Sequence, residues 1–141
     1  MSNFPLHPVF VHFPIVLPWV MFIALFFIRK ESRENLQRFW YFFFCLSIFN
    51  CGAALCAFYS GQWAAELVRD ELNAIQTASL EWHQVFGRVV LALSATLAGM
   101  SYIALHVDKR RGAIRMCIGI LVSMLLLVCM FSGYTGGLIS H

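Results

Sequence analysis

The sequence predicts an all-α membrane protein: a four-helix transmembrane bundle with a short amphipathic periplasmic segment between its second and third helices. Three observations predict it. First, the chain of 141 residues is 60% hydrophobic and only 12% charged, with a mean hydropathy of +0.74. A soluble domain needs more polar surface than this composition supplies. Second, apolar runs of about 20 residues, the length that crosses a bilayer, occur four times and use most of the chain. One domain over residues 1–141 is therefore expected. Third, the basic residues are clustered. Arg29, Lys30, Arg33 and Arg38 fall between the first two runs, and Lys109, Arg110, Arg111 and Arg115 between the last two, with only Arg69 and Arg88 elsewhere. Basic residues in short loops stay on the cytoplasmic side, which places both termini in the periplasm of a bacterial inner membrane. Binding to nucleic acid is not expected, because these loops flank spans and also carry Glu31, Glu34 and Asp108.

The first helix is expected from about Val9 to Ile28, with Pro14 and Pro18 in its outer half. Each proline removes a backbone donor, so a kink is expected there, and the freed carbonyls need partners. The flank Met1-Ser2-Asn3-Phe4 has no positive charge, which argues against a cleaved signal peptide. The second helix is expected over about Phe39–Tyr59. Its start is crowded with aromatics, and its second half turns small: Ser47, Asn50, Cys51, Gly52, Ala53, Ala54, Cys56. Small residues let helices approach closely, or leave room for a flat cofactor.

From Ser60 to about Ser79, the apolar residues Ala64, Leu67, Val68, Leu72 and Ile75 follow helical spacing, with Glu66, Arg69, Asp70 and Asn73 on the other sides. This spacing predicts a short amphipathic helix on the membrane surface or over the end of the bundle. The third helix is expected over about Leu80–Leu105, with Ser79 as N-cap. The fourth is expected over about Ile114–Leu138, its paired glycines Gly136 and Gly137 marking a terminal cap or turn. All five cysteines (Cys45, Cys51, Cys56, Cys117, Cys129) fall in apolar runs without a C-x-x-C or C-x-x-C-H pattern, and read as small buried residues.

This topology gathers His7, His12, His83 and His141 at the periplasmic end and leaves only His106 at the cytoplasmic one. His12 lies about one turn inside an apolar run, and a polar ring at that depth needs a partner. His83 opens the third helix at matching height, with Gly87 one turn on. Arg88 lies just deeper and calls for an anion, either Glu66, Asp70 or Glu81 or a cofactor carboxylate. Histidines on different helices at equal depth suit b-type haem, whose iron takes an imidazole on each face. The same rings could hold copper or zinc, or simply satisfy backbone freed by the prolines. No G-x-S-x-G, H-E-x-x-H or phosphate-cradling pattern is present.

The run His7-Pro8-Val9-Phe10-Val11-His12-Phe13-Pro14-Ile15 resembles the H-P-x-x-V-H-F-P-I opening of a family of bacterial four-helix inner-membrane proteins of unassigned function. The ending Gly133-Tyr134-Thr135-Gly136-Gly137-Leu138-Ile139-Ser140-His141 is similar to that family's G-Y-x-G-G-x-x-x-x-H closing motif, with the spacer one residue shorter. His83 and the segment Ser60-Gly61 with Ala64-Ala65-Glu66 also match. Relatives are often joined to, or encoded near, c-type cytochrome or iron–sulfur modules, so the resemblance implies a redox role.

The expected function is that of a haem b-binding membrane electron-transfer protein with one or two haems. Its axial ligands would be His12 and His83. His7 and His141 would form a second pair or supporting groups, and Arg88 would neutralise a propionate. Its partners would be membrane lipid together with a c-type cytochrome, an iron–sulfur protein, a larger membrane complex or quinone. A copper- or zinc-binding protein holding metal on His7, His12, His83 and His141, or a cofactor-free accessory subunit, are the alternatives. So little extramembrane mass points to an electron-transfer or accessory subunit rather than an independent enzyme.

Overall fold

Four long helices follow one another with short connections. The computed structural model describes residues 6–27, 33–107 and 111–139, with side chains described for 10–27, 34–107 and 112–139. The helices are α1 (Leu6–Phe27), α2 (Arg33–Val68), α3 (Ala74–His106) and α4 (Arg111–Ile139), with a 3-10 turn at Arg69–Glu71. Among the described residues there is no strand. Each helix packs on the next, and α4 closes the ring against α1. Cross-contacts fix the antiparallel sense. Pro14 meets Cys129 while Leu25 meets Arg115, and Ser47 meets Ser101 while Asn50 meets Ser94. All four helices are long and apolar enough to span a membrane, and the chain is a multi-pass membrane protein. Its outward side chains, such as Val16, Ile23, Phe42 and Met116, are apolar and at least half exposed, as a lipid-facing surface requires.

Two helices exceed the expected spans. α2 has 36 residues, which is about 54 Å of helix against about 30 Å of hydrocarbon. The amphipathic stretch after Tyr59 therefore belongs to the hairpin itself. It forms the last turns of α2, the 3-10 turn and the first turns of α3, and it lies over the end of the bundle. The start of α3 is set by Asn73 rather than Ser79. The Asn73 side chain accepts from the backbone N–H of Gln76 at 2.9 Å, and the Gln76 side chain accepts from the backbone N–H of Asn73 at 3.1 Å. This reciprocal capping box satisfies two orphan donors. Ser79, six residues inside the helix, donates back to the carbonyl of Ile75.

α1 continues as one helix through both prolines. Pro18 has no N–H to give to the carbonyl of Pro14, and the Cys129 thiol donates to that oxygen at 3.3 Å. α4 also runs on through Gly133, Gly136 and Gly137 to Ile139. Of the three only Gly136 serves a close approach, and Gln76 Nε2 donates to the terminal Ile139 carbonyl at 3.3 Å. Of the cysteines only Cys129 is buried. Cys51 is half-buried, while Cys45, Cys56 and Cys117 face outward, where an apolar thiol is at ease against lipid.

The two ends of the bundle are filled differently. Toward the end that carries Arg38 and Arg115, the interior holds Trp40, Phe43, Met21, Leu97, Ile118, Val122 and Leu125, all at most 2% exposed. Helix association in lipid has no hydrophobic drive, so van der Waals packing and interhelical hydrogen bonds hold this core. Two buried polar pairs contribute. Ser47 and Ser101 hydroxyls lie 3.0 Å apart, and Asn50 Nδ2 donates to Ser94 Oγ at 3.0 Å. Toward the hairpin end, α2 turns instead to Ala54, Ala57, Gly61, Ala64 and Ala65 on one face. Side chains that small leave the interior unfilled.

Candidate functional site

The unfilled space is a partly open cavity of about 720 Å³ bordered by residues of all four helices. Its floor is set by Ala54, Val90 and Cys129, and its upper end by Glu71, Leu72 and Gln76. From Val90 to Gln76 is 14 residues of α3, about 21 Å, so the cavity is a tall, narrow slot. Its wall is mostly apolar, with Gln62, Gln76, Gln84, Glu71 and His83 supplying the polar groups. A few polar groups in an otherwise apolar concavity of this size are what small-molecule sites share.

His83 is held against α4 by two contacts. Its Nδ1 lies 2.9 Å from the Ser132 carbonyl oxygen. A carbonyl only accepts, so Nδ1 carries the proton and Nε2 carries the lone pair of the neutral ring. The hydroxyls of Ser132 and Thr135 lie farther off, at 3.4 and 3.5 Å. On the same side the ring lies against Gly136, where an added Cβ would come within 3.2 Å of Cε1 and 3.3 Å of Nδ1. The glycine motif of α4 thus makes room for the imidazole of α3. Gly87, one turn below His83, also lines the cavity and faces Phe58 of α2, whose Cδ2 would lie 3.9 Å from an added Cβ.

The other expected site residues are not all brought to this cavity. α1 contributes Val11, Pro14 and Ile15. His12 is exposed. Steps of four, seven and eleven residues along α1 lead from it to Val16, Trp19 and Ile23, which are exposed as well. That stripe faces away from Pro14, Pro18 and Met21, the inward side of α1, and His12 is not in the lining of the cavity that His83 borders. Arg88 is also exposed and makes no ion pair among the described residues. Five residues of helix turn it about 140° from His83, away from the cavity. Eighteen residues separate it from His106 at the far end of α3, about 27 Å. This is near the hydrocarbon thickness and places the guanidinium near headgroup level. His7 lies within α1, four residues before Val11, but its side chain lies outside the described residues, as does the whole of His141. His106 lies one turn from Tyr102, the two rings tilted with centroids 4.5 Å apart.

Among the described residues, no three His, Cys, Asp or Glu side chains come together as a metal site would require. Gln62, Gln76 and Gln84, which supply most of the polar wall, were not singled out by the sequence reading. Gln76 was detectable from its place three residues after Asn73 in an Asn-x-x-Gln capping pattern.

A family model described as "Predicted membrane protein (DUF2231)" matches residues 3–140. The chain belongs to this family. No curated protein and no solved structure gives a significant match. The family is one of unknown function. The DUF2231 match covers both the H-P-x-x-V-H-F-P-I stretch of α1 and the glycine-rich end of α4, the two segments that border the cavity alongside the hairpin.

Proposed function

We propose that this DUF2231 protein is a haem b-binding electron-transfer subunit of a bacterial inner membrane. Its site is the cavity at the hairpin end, with His83 as the protein's iron ligand. The observation that carries the reading is the Nδ1–H···O=C bond from His83 to Ser132. Metal-ligating histidines almost always donate their other ring N–H to a carbonyl, carboxylate or water, which fixes the tautomer and raises ligand basicity. Haem bound there supplies one-electron chemistry. The chain's own part is to orient the imidazole, to enclose an apolar body between Ala54, Ala57, Val90 and Cys129, and to present Gln62, Gln76 and Gln84 to polar groups at the upper end.

A porphyrin brings four of its iron's donors, so one or two imidazoles suffice. Bare zinc takes three or four protein donors, which favours haem over the metal-only alternative in a wall with one described histidine. A second imidazole would come from His7 or His141. The basic loops support a periplasmic position for the cavity. The suggested partners are therefore a periplasmic c-type cytochrome, an iron–sulfur protein or a larger complex on one side and quinone on the other.

The test is the absorption spectrum of protein purified from haem-supplemented cells, together with elemental analysis. A Soret band with a reduced α-band is expected, lost in His83→Ala and retained in His12→Ala. Stoichiometric copper or zinc without haem would select the metal-binding reading. Neither centre, with co-purification at fixed stoichiometry, would select the cofactor-free accessory reading.

A further inference from the structure

Three glutamines line the cavity, and their amides are used differently. Gln76 is engaged on both sides: its Oε1 accepts from the Asn73 N–H and its Nε2 donates to the Ile139 carbonyl. Gln62 of α2 and Gln84 of α3 are half-buried. Neither of their amides has a hydrogen-bond partner among the described residues.

The two sit opposite one another. Phe44 of α2 meets Tyr102 of α3 across the α2–α3 seam, with ring centroids 5.8 Å apart. Eighteen residues toward the hairpin from each of them lie Gln62 and Gln84. Eighteen residues make five whole turns of helix, about 27 Å, so each glutamine returns to the face of the aromatic below it. The seam keeps this register on the way up, through Asn50 with Ser94 and then Phe58 against Gly87. Phe58 and Gly87 lie about one turn below Gln62 and Gln84.

Below the cavity, facing polar residues of this seam bond to each other directly, Ser47 with Ser101 and Asn50 with Ser94. At the cavity the facing amides do not. A polar group in a mostly apolar wall is costly until something completes its hydrogen bonds, and both amides border the cavity, so that group comes from within it. Each amide has N–H donors to offer, and two amides facing across a seam offer them to one oxygen from both sides. No Lys or Arg is among the described residues that line the cavity, so these donors have no cation as competitor.

We infer that Gln62 and Gln84 are the recognition pair of the cavity. From opposite sides of the α2–α3 seam they seat a carbonyl or carboxylate oxygen of the bound molecule, and so fix its orientation beside His83, the residue before Gln84. A haem propionate and a quinone carbonyl both present such an oxygen. The pair supplies the polar anchor that the sequence assigned to Arg88, by hydrogen bonds instead of charge. The inference rests on the cavity being a binding site, as proposed above, but not on its occupant being haem.

The test uses full-length protein in phospholipid nanodiscs. It is titrated with haem b, followed by the Soret band, and separately with a short-chain benzoquinone, followed by quenching of tryptophan fluorescence. Gln62→Leu and Gln84→Leu keep the side-chain size and break no hydrogen bond among the described residues, so their thermal unfolding should match that of the unaltered protein. Each should weaken binding about three- to tenfold, the scale of one neutral hydrogen bond. Gln84→Glu at neutral pH, isosteric but with an acceptor aimed at the ligand oxygen, should weaken it further than Gln84→Leu; a packing role alone would give the reverse order. Quinone binding weakened in both leucine variants, with no Soret band in any protein, would uphold the pair and remove the haem reading. Haem bound at unaltered affinity in both leucine variants, yet lost in His83→Ala, would overturn the pair, mark the amides as merely hydrated, and leave the haem reading standing. Either leucine variant binding both probes as tightly as the unaltered protein would also overturn the pair, and so would an unaltered protein that takes up neither probe.

Discussion

Gly136 offers a direct measure of how tightly His83 is held. Replacing it by alanine places a methyl group 3.2 Å from His83 Cε1 and 3.3 Å from Nδ1. Ordinary contact begins near 3.4 Å, so the ring must yield by a few tenths of an ångström. It is not at liberty to do so cheaply, because Nδ1–H is bonded to Ser132 at 2.9 Å. Two effects oppose each other. Glycine to alanine in a helix favours folding by up to about 1 kcal/mol, less in a last turn, whereas overpacking a fitted contact costs about 1–3 kcal/mol. Gly137 is the internal control. It occupies the same last turn of α4, and its added Cβ meets nothing within 4 Å. Gly137→Ala should therefore be neutral to stabilising. Gly136→Ala should be less stable than Gly137→Ala by about 1–3 kcal/mol, the packing cost alone. Equilibrium unfolding in mild detergent, followed by circular dichroism, measures both. Equal stabilities for the two variants would show that the His83 ring moves freely, and the argument that Gly136 and Ser132 fix it would fail.

Three further outcomes follow from the packing. Ser94→Ala leaves the Asn50 amide donor without its acceptor in a fully buried site and should cost about 1–3 kcal/mol; the double variant Asn50→Leu with Ser94→Ala should recover much of that loss in the same unfolding assay, since Asn50 Oδ1 has no partner among the described residues. Cys129→Ala should destabilise by about 1 kcal/mol by orphaning the Pro14 carbonyl, whereas Cys129→Ser, which keeps a donor there, should restore most of it. Arg115 Nη2 donates to the Leu25 carbonyl near the end of α1 at 2.7 Å, so Arg115→Met should cost about 1.5–3 kcal/mol and speed amide exchange in the last turn of α1.

Much of the architecture was legible from residue type alone. The four spans follow from apolar run length, and the closing of the hairpin end by an amphipathic segment follows from the spacing of Ala64, Val68 and Leu72. His83 was singled out because it opens the third span at the height of His12, and it lines the cavity. His12 was singled out because a polar ring inside an apolar run demands a partner, yet it is exposed on the face of Val16 and Trp19. Depth is one-dimensional and can be read from the chain, but the side of a helix that faces the bundle depends on its neighbours. In α1 every stretch is apolar, so no polar stripe tells the inward face from the lipid face. The same ambiguity put Arg88 at the site on depth alone, although five residues of helix turn it away. The start of α3 was misplaced by six residues because Ser79 resembles an N-cap, while the Asn73–Gln76 pair performs the capping.

The sequence by itself determined the solvent and the number of crossings, because those depend on how apolar and how charged each stretch is. Only the tertiary structure decided that His83 lines a cavity, that Gly136 of α4 seats its imidazole, and that small residues of α2 leave that cavity beneath the hairpin. Rotation about a helix axis costs an all-apolar helix nothing in lipid until another helix packs against it. That choice is therefore made by the contacts between helices and is written in none of them singly.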